Sequence, residues 1–262
     1  MRISVNAPSY KRPDDVKTLS YLPYCRIWVD HQEYEAYKEN YPDAEIVSCP
    51  EGVQGNVSRI RNWILKQEFA RGMDVVCIID DDFTCLRRYE YDSDMNFGYV
   101  PRVITADEVI PFIEKYSILA NDLGAKMWGV NCIFDPMAYR HNTPFSTRSI
   151  VLGPFGCFLK GNRCWYDESL PLKEDYDMSI QQINMERVLL RVNAYHYICK
   201  QSEQKGGCAA YRNRQREQEQ LEALRRKCGG AIVKIDTSNK GRSDKEKRLD
   251  YNPIIKIPIK GV

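Results

Sequence analysis

The sequence predicts an α/β fold, a mainly parallel sheet with covering helices, followed by a basic C-terminal extension. Three observations carry this. Short β-rich runs alternate with helical patterns through about residue 200, which is the order of a parallel sheet with crossover helices. Val75 to Ile79 is five consecutive apolar residues, a buried-strand pattern, and Met127 to Phe134 is a second apolar run. A chain of 262 residues with 43% hydrophobic content can bury one sizeable core, but is short for two catalytic domains.

In order, strands are predicted at Arg2 to Ala7, Cys25 to Val29 and Ala44 to Ser48, then a helix near Asn56 to Arg71 and a strand from Asp74 to Asp80. A turn-rich stretch spans Arg87 to Pro101. Thr105-Ala106-Asp107-Glu108 has the form of a capping box opening a helix. After the Met127 run come an irregular segment, 135 to 150, and a buried-strand candidate at Ile150 to Leu159. Glu174 to Arg187 has helical length and spacing, and Leu189 to Ile198 is strand-like. Gly206-Gly207 marks a loop, Ala209 to Cys228 a charged helical segment with no apolar stripe of consequence, and Gly229-Gly230 its stop. The expected division is 1–207 as the α/β domain and 208–262 as a basic helical and extended region.

Net charge is +2, but unevenly spread. Residues 200 to 262 carry 16 Lys+Arg against 8 Asp+Glu, and the rest carry 22 against 28. A basic tail suits a polyanion, and equally a solvated helix surface. The ten cysteines are scattered without a C-x-x-C pair, so free thiols in a reducing compartment are expected rather than a zinc site or a disulfide framework. No window approaches the roughly 20 apolar residues of a membrane span. A soluble, cytoplasmic protein is the expectation.

The sharpest chemical signal is Asp80-Asp81-Asp82, directly after the apolar run Val75 to Ile79. Adjacent carboxylates repel. At the carboxyl end of a buried strand, where ligands bind in open α/β sheets, they become favourable once a hard cation and its diphosphate neutralise them. The loop Ala7-Pro8-Ser9-Tyr10-Lys11-Arg12, following the first strand, can hold a base and ribose through its backbone and through Tyr10 or Arg12. Gly52 to Asn62 is a glycine loop opening a helix, with Arg59 and Arg61 near its start, a place that suits phosphate. It is neither a Walker A nor a dinucleotide fingerprint. A second acidic site, Glu174-Asp175 beside Trp165, Tyr166 and Tyr176, is where a carboxylate in a partly apolar pocket could deprotonate a hydroxyl, though helix capping explains the same residues. His196, between Tyr195 and Tyr197, is a candidate metal ligand or an ordinary buried histidine.

Taken together over roughly residues 2 to 207, these stretches resemble the GT-A glycosyltransferases. Val5 to Pro13 looks like their opening nucleotide loop, Gly55 to Asn62 is similar to their glycine-led helix with Arg-Asn, Asp80 to Asp82 resembles their D-x-D metal motif, and Glu174-Asp175 is similar to the pair that supplies the base in inverting members. The resemblance implies a nucleotide-sugar donor, UDP-linked, and a divalent cation, Mn²⁺ or Mg²⁺. Asp80 would face the ribose or a metal-bound water, Asp82 would ligate the cation, Asp175 would be the base with Glu174 beside it, and His196 would complete the metal shell. Lys200 or Lys205 would touch the phosphates, with Ala7, Pro8, Ser9, Tyr10, Arg12, Arg59, Asn62 and Asp81 around the donor. Three contiguous aspartates leave the working pair open.

Within that superfamily the chain looks most like the phage TET-associated glycosyltransferases. This implies a host-cytoplasm enzyme acting on a hydroxymethylated pyrimidine in DNA. Arg212, Arg214, Arg216, Arg225, Arg226 and Lys227 would then track phosphates, and Tyr139, Phe145 and Arg148 would be wedges or platforms for an extruded base. Competing readings are a glycosyltransferase with a glycan acceptor, a nucleotidyltransferase, and a non-catalytic nucleic-acid-binding module.

Overall fold

The computed structural model describes residues 1–94, 98–133, 135–199, 207, 211–235 and 252–257. Its strands are β1 (Ile3–Pro8), β2 (Arg26–Asp30), β3 (Ile46–Cys49), β4 (Val75–Ile79), β5 (Phe83–Tyr91), β6 (Tyr99–Val103), β7 (Met127–Asn131), β8 (Phe145–Ser146), β9 (Phe155–Leu159), β10 (Leu190–Cys199), β11 (Val233–Ile235) and β12 (Pro253–Ile255). The helices are α1 (Thr18–Tyr21), α2 (Tyr34–Asn40), α3 (Val57–Ala70), α4 (Ala106–Asp122), α5 (Glu174–Glu186) and α6 (Arg214–Cys228). One sheet runs in the order β3-β2-β1-β4-β9-β7-β10-β5-β6, with β8 paired to β10, and a separate ribbon joins β11 to β12. Strands β1, β2, β3, β4, β7, β10 and β6 point one way, and β9, β5 and β8 the other. The sheet is thus mostly parallel, as the alternating pattern predicted.

Central strands β4, β7 and β9 are buried along their whole length because helices cover both faces. On β4 the alternation of side chains divides the core. Val75, Cys77 and Ile79 pack with Phe112 and Ile113 of α4, whereas Val76 and Ile78 pack with Ile60 and Ile64 of α3 and Met178 and Ile183 of α5. Gly129 on β7 is a required glycine. A Cβ there would lie 2.7 Å from the Phe155 carbonyl oxygen, so the two strands approach only without one. All the described cysteines are free, with Cys208 outside the described residues. Among the described residues no helix is long and apolar enough to cross a membrane.

Two expectations change. The stretch from Arg87 to Pro101 is the β5–β6 hairpin rather than irregular turn, with Tyr91 opposite Tyr99. The C-terminal helix also has an apolar stripe: Leu221 and Leu224 are buried and join Leu170, Tyr176 and Val233 in a third cluster against α5. Around that cluster, the fully buried Lys173 pairs with the fully buried Glu217, and Lys227 reaches Asp167 and Asp177.

Candidate active site

Strands β1 and β4 lie side by side in parallel, with Asn6 opposite Ile78. The Ser9–Arg12 loop and the three aspartates therefore leave the sheet at the same edge, the usual ligand-binding edge of such sheets. Ser9 donates through Oγ to Asp81 Oδ2 at 2.5 Å, and Arg12 Nη1 donates to Asp81 Oδ1 at 3.1 Å. Burial raises the Asp81 carboxyl to about 6, against the pull of Arg12 and Ser9. Gln54 pins this loop by donating to the carbonyls of Ser9 and Trp28. Gly207 donates its N–H to the Tyr10 carbonyl at 3.0 Å and packs against Arg12 with a φ of +53°, where a side chain has no room.

The second acidic site closes onto the first through one cation. Arg61, buried in α3, donates from Nη2 to Asp80 Oδ1 at 2.7 Å and from Nη1 to Glu174 Oε1 at 3.0 Å, with its guanidinium 5.6 Å from the Tyr166 ring centroid. Burial, then the charge of Asp175, pushes Glu174 up to about 8, with Arg61 opposing. Asp175, at the start of α5, accepts from the Gly153 N–H at 3.2 Å and from the Tyr176 N–H at 2.8 Å. Asp82 differs from its neighbours. Its Oδ1 is buried without a hydrogen-bond partner among the described residues, and burial, followed by repulsion from Asp80 and Asp81, raises its carboxyl to about 7. A thiol, Cys199, hydrogen-bonds to it from the end of β10.

Several expected residues stand elsewhere. His196 is fully buried and faces Tyr89 at 4.7 Å between ring centroids. Burial lowers it to about 4, and both its nitrogens lack partners among the described residues. It falls short of the aspartates because β10 runs on past it, placing Cys199 opposite Phe83 at the strand end. Among the described residues no group of three His, Cys, Asp or Glu side chains is set to hold a metal on its own. Arg59 and Asn62 turn away from the Ser9 loop: Arg59 pairs with Glu168 at 2.9 Å, and Asn62 uses both ends of its amide on the Tyr166 backbone. Ala7 and Pro8 end β1, Ala7 buried inside the core. Lys200 and Lys205 lie outside the described residues.

The expected nucleic-acid contacts also shift. Tyr139 is a buried member of an aromatic stack, 4.9 Å from Tyr89, rather than a free wedge, while Phe145 and Arg148 are exposed. On the C-terminal region, Arg212 pairs with Glu217, Arg225 with Glu222, and Arg216 donates to the Tyr211 carbonyl. Arg214 and Arg226 lie on α6 with them. Arg61 was legible only as one more basic residue. The available signal was its place on the apolar stripe of α3, beside Ile60, Ile64 and Leu65, where a cation requires a buried counter-ion.

Residues 3–207 match the family described as TET-Associated Glycosyltransferase. No curated protein sequence matches the chain. Among solved structures, S. aureus TarS 1-349 is similar with a TM-score of 0.46 and 12% identity, over 75% of this chain and 59% of that one, so the chain spans less than two thirds of it. A197 from STIV is similar with a TM-score of 0.40 and 11% identity, over 79% of this chain and 89% of that one. By the family match, the chain belongs to the TET-associated glycosyltransferase family.

Proposed function

We propose that the chain moves a hexose from a nucleotide-sugar, UDP-linked, to the hydroxyl of a 5-hydroxymethylpyrimidine in DNA, with inversion and with a divalent cation. One observation carries the reading. A single guanidinium, Arg61, ties the acidic end of β4 to the acidic start of α5, so the candidate donor carboxylates and the candidate base form one site. The DNA acceptor is supported by family membership and the nucleotide-sugar donor by the loop and carboxylates that share one sheet edge.

Asp81 gives both oxygens to Ser9 and Arg12, whereas Asp80 gives only Oδ1 to Arg61, which leaves Asp80 and Asp82 as the pair to face a cation. The buried Oδ1 of Asp82, without a partner among the described residues, fits that role, because Mg²⁺ and Mn²⁺ commonly take one or two carboxylates and complete their shell with substrate phosphates and water. When bound, the cation would offset negative charge gathering on the departing nucleoside diphosphate. The Ser9–Arg12 loop would hold the nucleoside. Asp175 would take the acceptor hydroxyl proton as that oxygen bonds to the anomeric carbon and the bond to the diphosphate breaks, its electron pair leaving with the phosphate. Attack opposite the leaving group inverts the configuration. A base in duplex DNA must leave the stack to reach such a site.

Two substitutions separate these roles. Asp82→Ala should abolish Mn²⁺-dependent binding of UDP-sugar in calorimetry. Asp175→Asn should retain that binding and lose transfer by about 100-fold or more. Full turnover by Asp175→Asn would remove the base assignment.

A further inference from the structure

Helix α3 has two working faces. Its inner face sends Arg61 to the carboxylates, and its outer face carries Arg59, Trp63 and Lys66 at helical positions i, i+4 and i+7. Those three, with Asn62, Trp165 and Glu168, line an open cavity of about 490 Å³. The two cations stand about 10 Å apart along the helix axis with an indole between them. Trp165, on the opposite wall, is 41% exposed. Cation, aromatic face, cation is the order of phosphate, base, phosphate along a nucleic-acid strand.

The polar groups of the cavity select among ligands. Asn62 is committed at both ends to the Tyr166 backbone, so it offers nothing to sugar hydroxyls. Glu168 already accepts from Arg59, and its remaining oxygen suits an exocyclic amino group of a base. Lys66 is exposed and makes no ion pair among the described residues. What remains available is the Lys66 ammonium and the indole surface that Trp63 and Trp165 turn to the cavity, which favours an anionic, aromatic ligand over a neutral glycan. The cavity also adjoins the chemistry: Asn62 holds Tyr166, whose ring lies against Arg61, which holds Asp80 and Glu174.

Resting on the DNA-acceptor reading above, we infer that this outer face of α3 is a stacking site for an unpaired stretch of the acceptor strand flanking the base that receives the sugar. Trp63 and Trp165 stack its bases, and Lys66 meets its phosphates beside the Arg59–Glu168 pair.

The tryptophans provide a direct readout. Of the four, Trp28 and Trp128 are buried in the core, and the other two line the cavity. The test titrates the full chain with a short single-stranded deoxyoligonucleotide carrying one 5-hydroxymethylcytosine. Intrinsic emission and the anisotropy of a labelled strand are followed at several salt concentrations. Emission should quench on binding. Trp165→Leu should weaken affinity about tenfold, with Trp165→Phe restoring most of it. Lys66→Glu should reduce the slope of log affinity against log salt by about one. Hydrolysis of UDP-sugar without acceptor should stay at the wild-type rate in all three. Wild-type DNA affinity in both Trp165→Leu and Lys66→Glu overturns this site while leaving the acceptor reading standing. Quenching by a neutral oligosaccharide in place of DNA overturns the nucleic-acid assignment of the cavity. Absence of any DNA binding by the wild type removes this site and the acceptor reading together.

Discussion

Arg61 lies between Ile60 and Ile64 on the apolar stripe of α3, and its two terminal nitrogens end on Asp80 and Glu174. One cation shared by two acids, with Asp175 adjacent, cannot neutralise them all, and burial pushes the Glu174 carboxyl up to about 8. The linkage follows from that direction. Between about pH 4.5 and 8 the folded protein holds a proton on Glu174 that the unfolded chain has released, so this contribution to stability is complete below that window and lost as pH rises through it. Glu174→Gln should therefore flatten the fall in melting temperature between pH 5 and pH 8.5, measured on the donor-free protein. Parallel curves for wild type and variant would show that Glu174 is ionised in the folded state. The carboxylates were legible in the sequence because they interrupt apolar runs. Their shared counter-ion was not, since an arginine after a glycine loop suits a phosphate equally well, and Glu174 lies far along the chain. His196 misled for the opposite reason: a histidine between tyrosines near a strand end looks the same whether the strand stops there or, as here, runs on to Cys199.

At the scale of elements, α6 lies beyond the family-matched residues 3–207 yet is fastened to the first turns of α5. Glu217 meets Lys173, the residue before Glu174, and Lys227 meets Asp177, two residues after Asp175. Glu217→Ala leaves the Lys173 ammonium buried and uncompensated and should cost about 3–5 kcal/mol. Leu224→Ala should cost about 2–5 kcal/mol. Urea unfolding of the full chain checks both, and losses under 1 kcal/mol in the pair would mean that α6 is only loosely seated. The sequence displayed this helix but not its docking, because its buried stripe is only Leu221 and Leu224 amid charge. The β5–β6 hairpin was hidden by Pro101. Proline is excluded from inner strands but tolerated on an edge strand, and β6 is the edge of the sheet, a position set by strand order rather than by local pattern.

For the whole molecule, the mostly parallel sheet gathers the ends of β1, β4 and β10 and the start of α5 at one edge, and Asp80, Asp82 and Asp175, the carboxylates given chemical roles above, stand there. That arrangement was legible from the order of apolar runs and the acids that end them, because strand-end position follows from topology. The proposed acceptor surface was not. The arginines of the C-terminal region looked available for phosphates, yet Arg212 and Arg225 are paired within the fold, and Lys66, which makes no ion pair among the described residues, lines the α3 cavity with Trp63 and Trp165. The central claim is transfer of a sugar to hydroxymethylated DNA. It is tested most directly by mass spectrometry of nucleosides after incubating the protein with Mn²⁺, a panel of UDP-sugars, and DNA with or without 5-hydroxymethylcytosine or 5-hydroxymethyluracil. A hexose-sized mass gain confined to the hydroxymethylated nucleoside is the predicted result, and hydrolysis of a UDP-sugar with no gain on any DNA would contradict the acceptor proposed here.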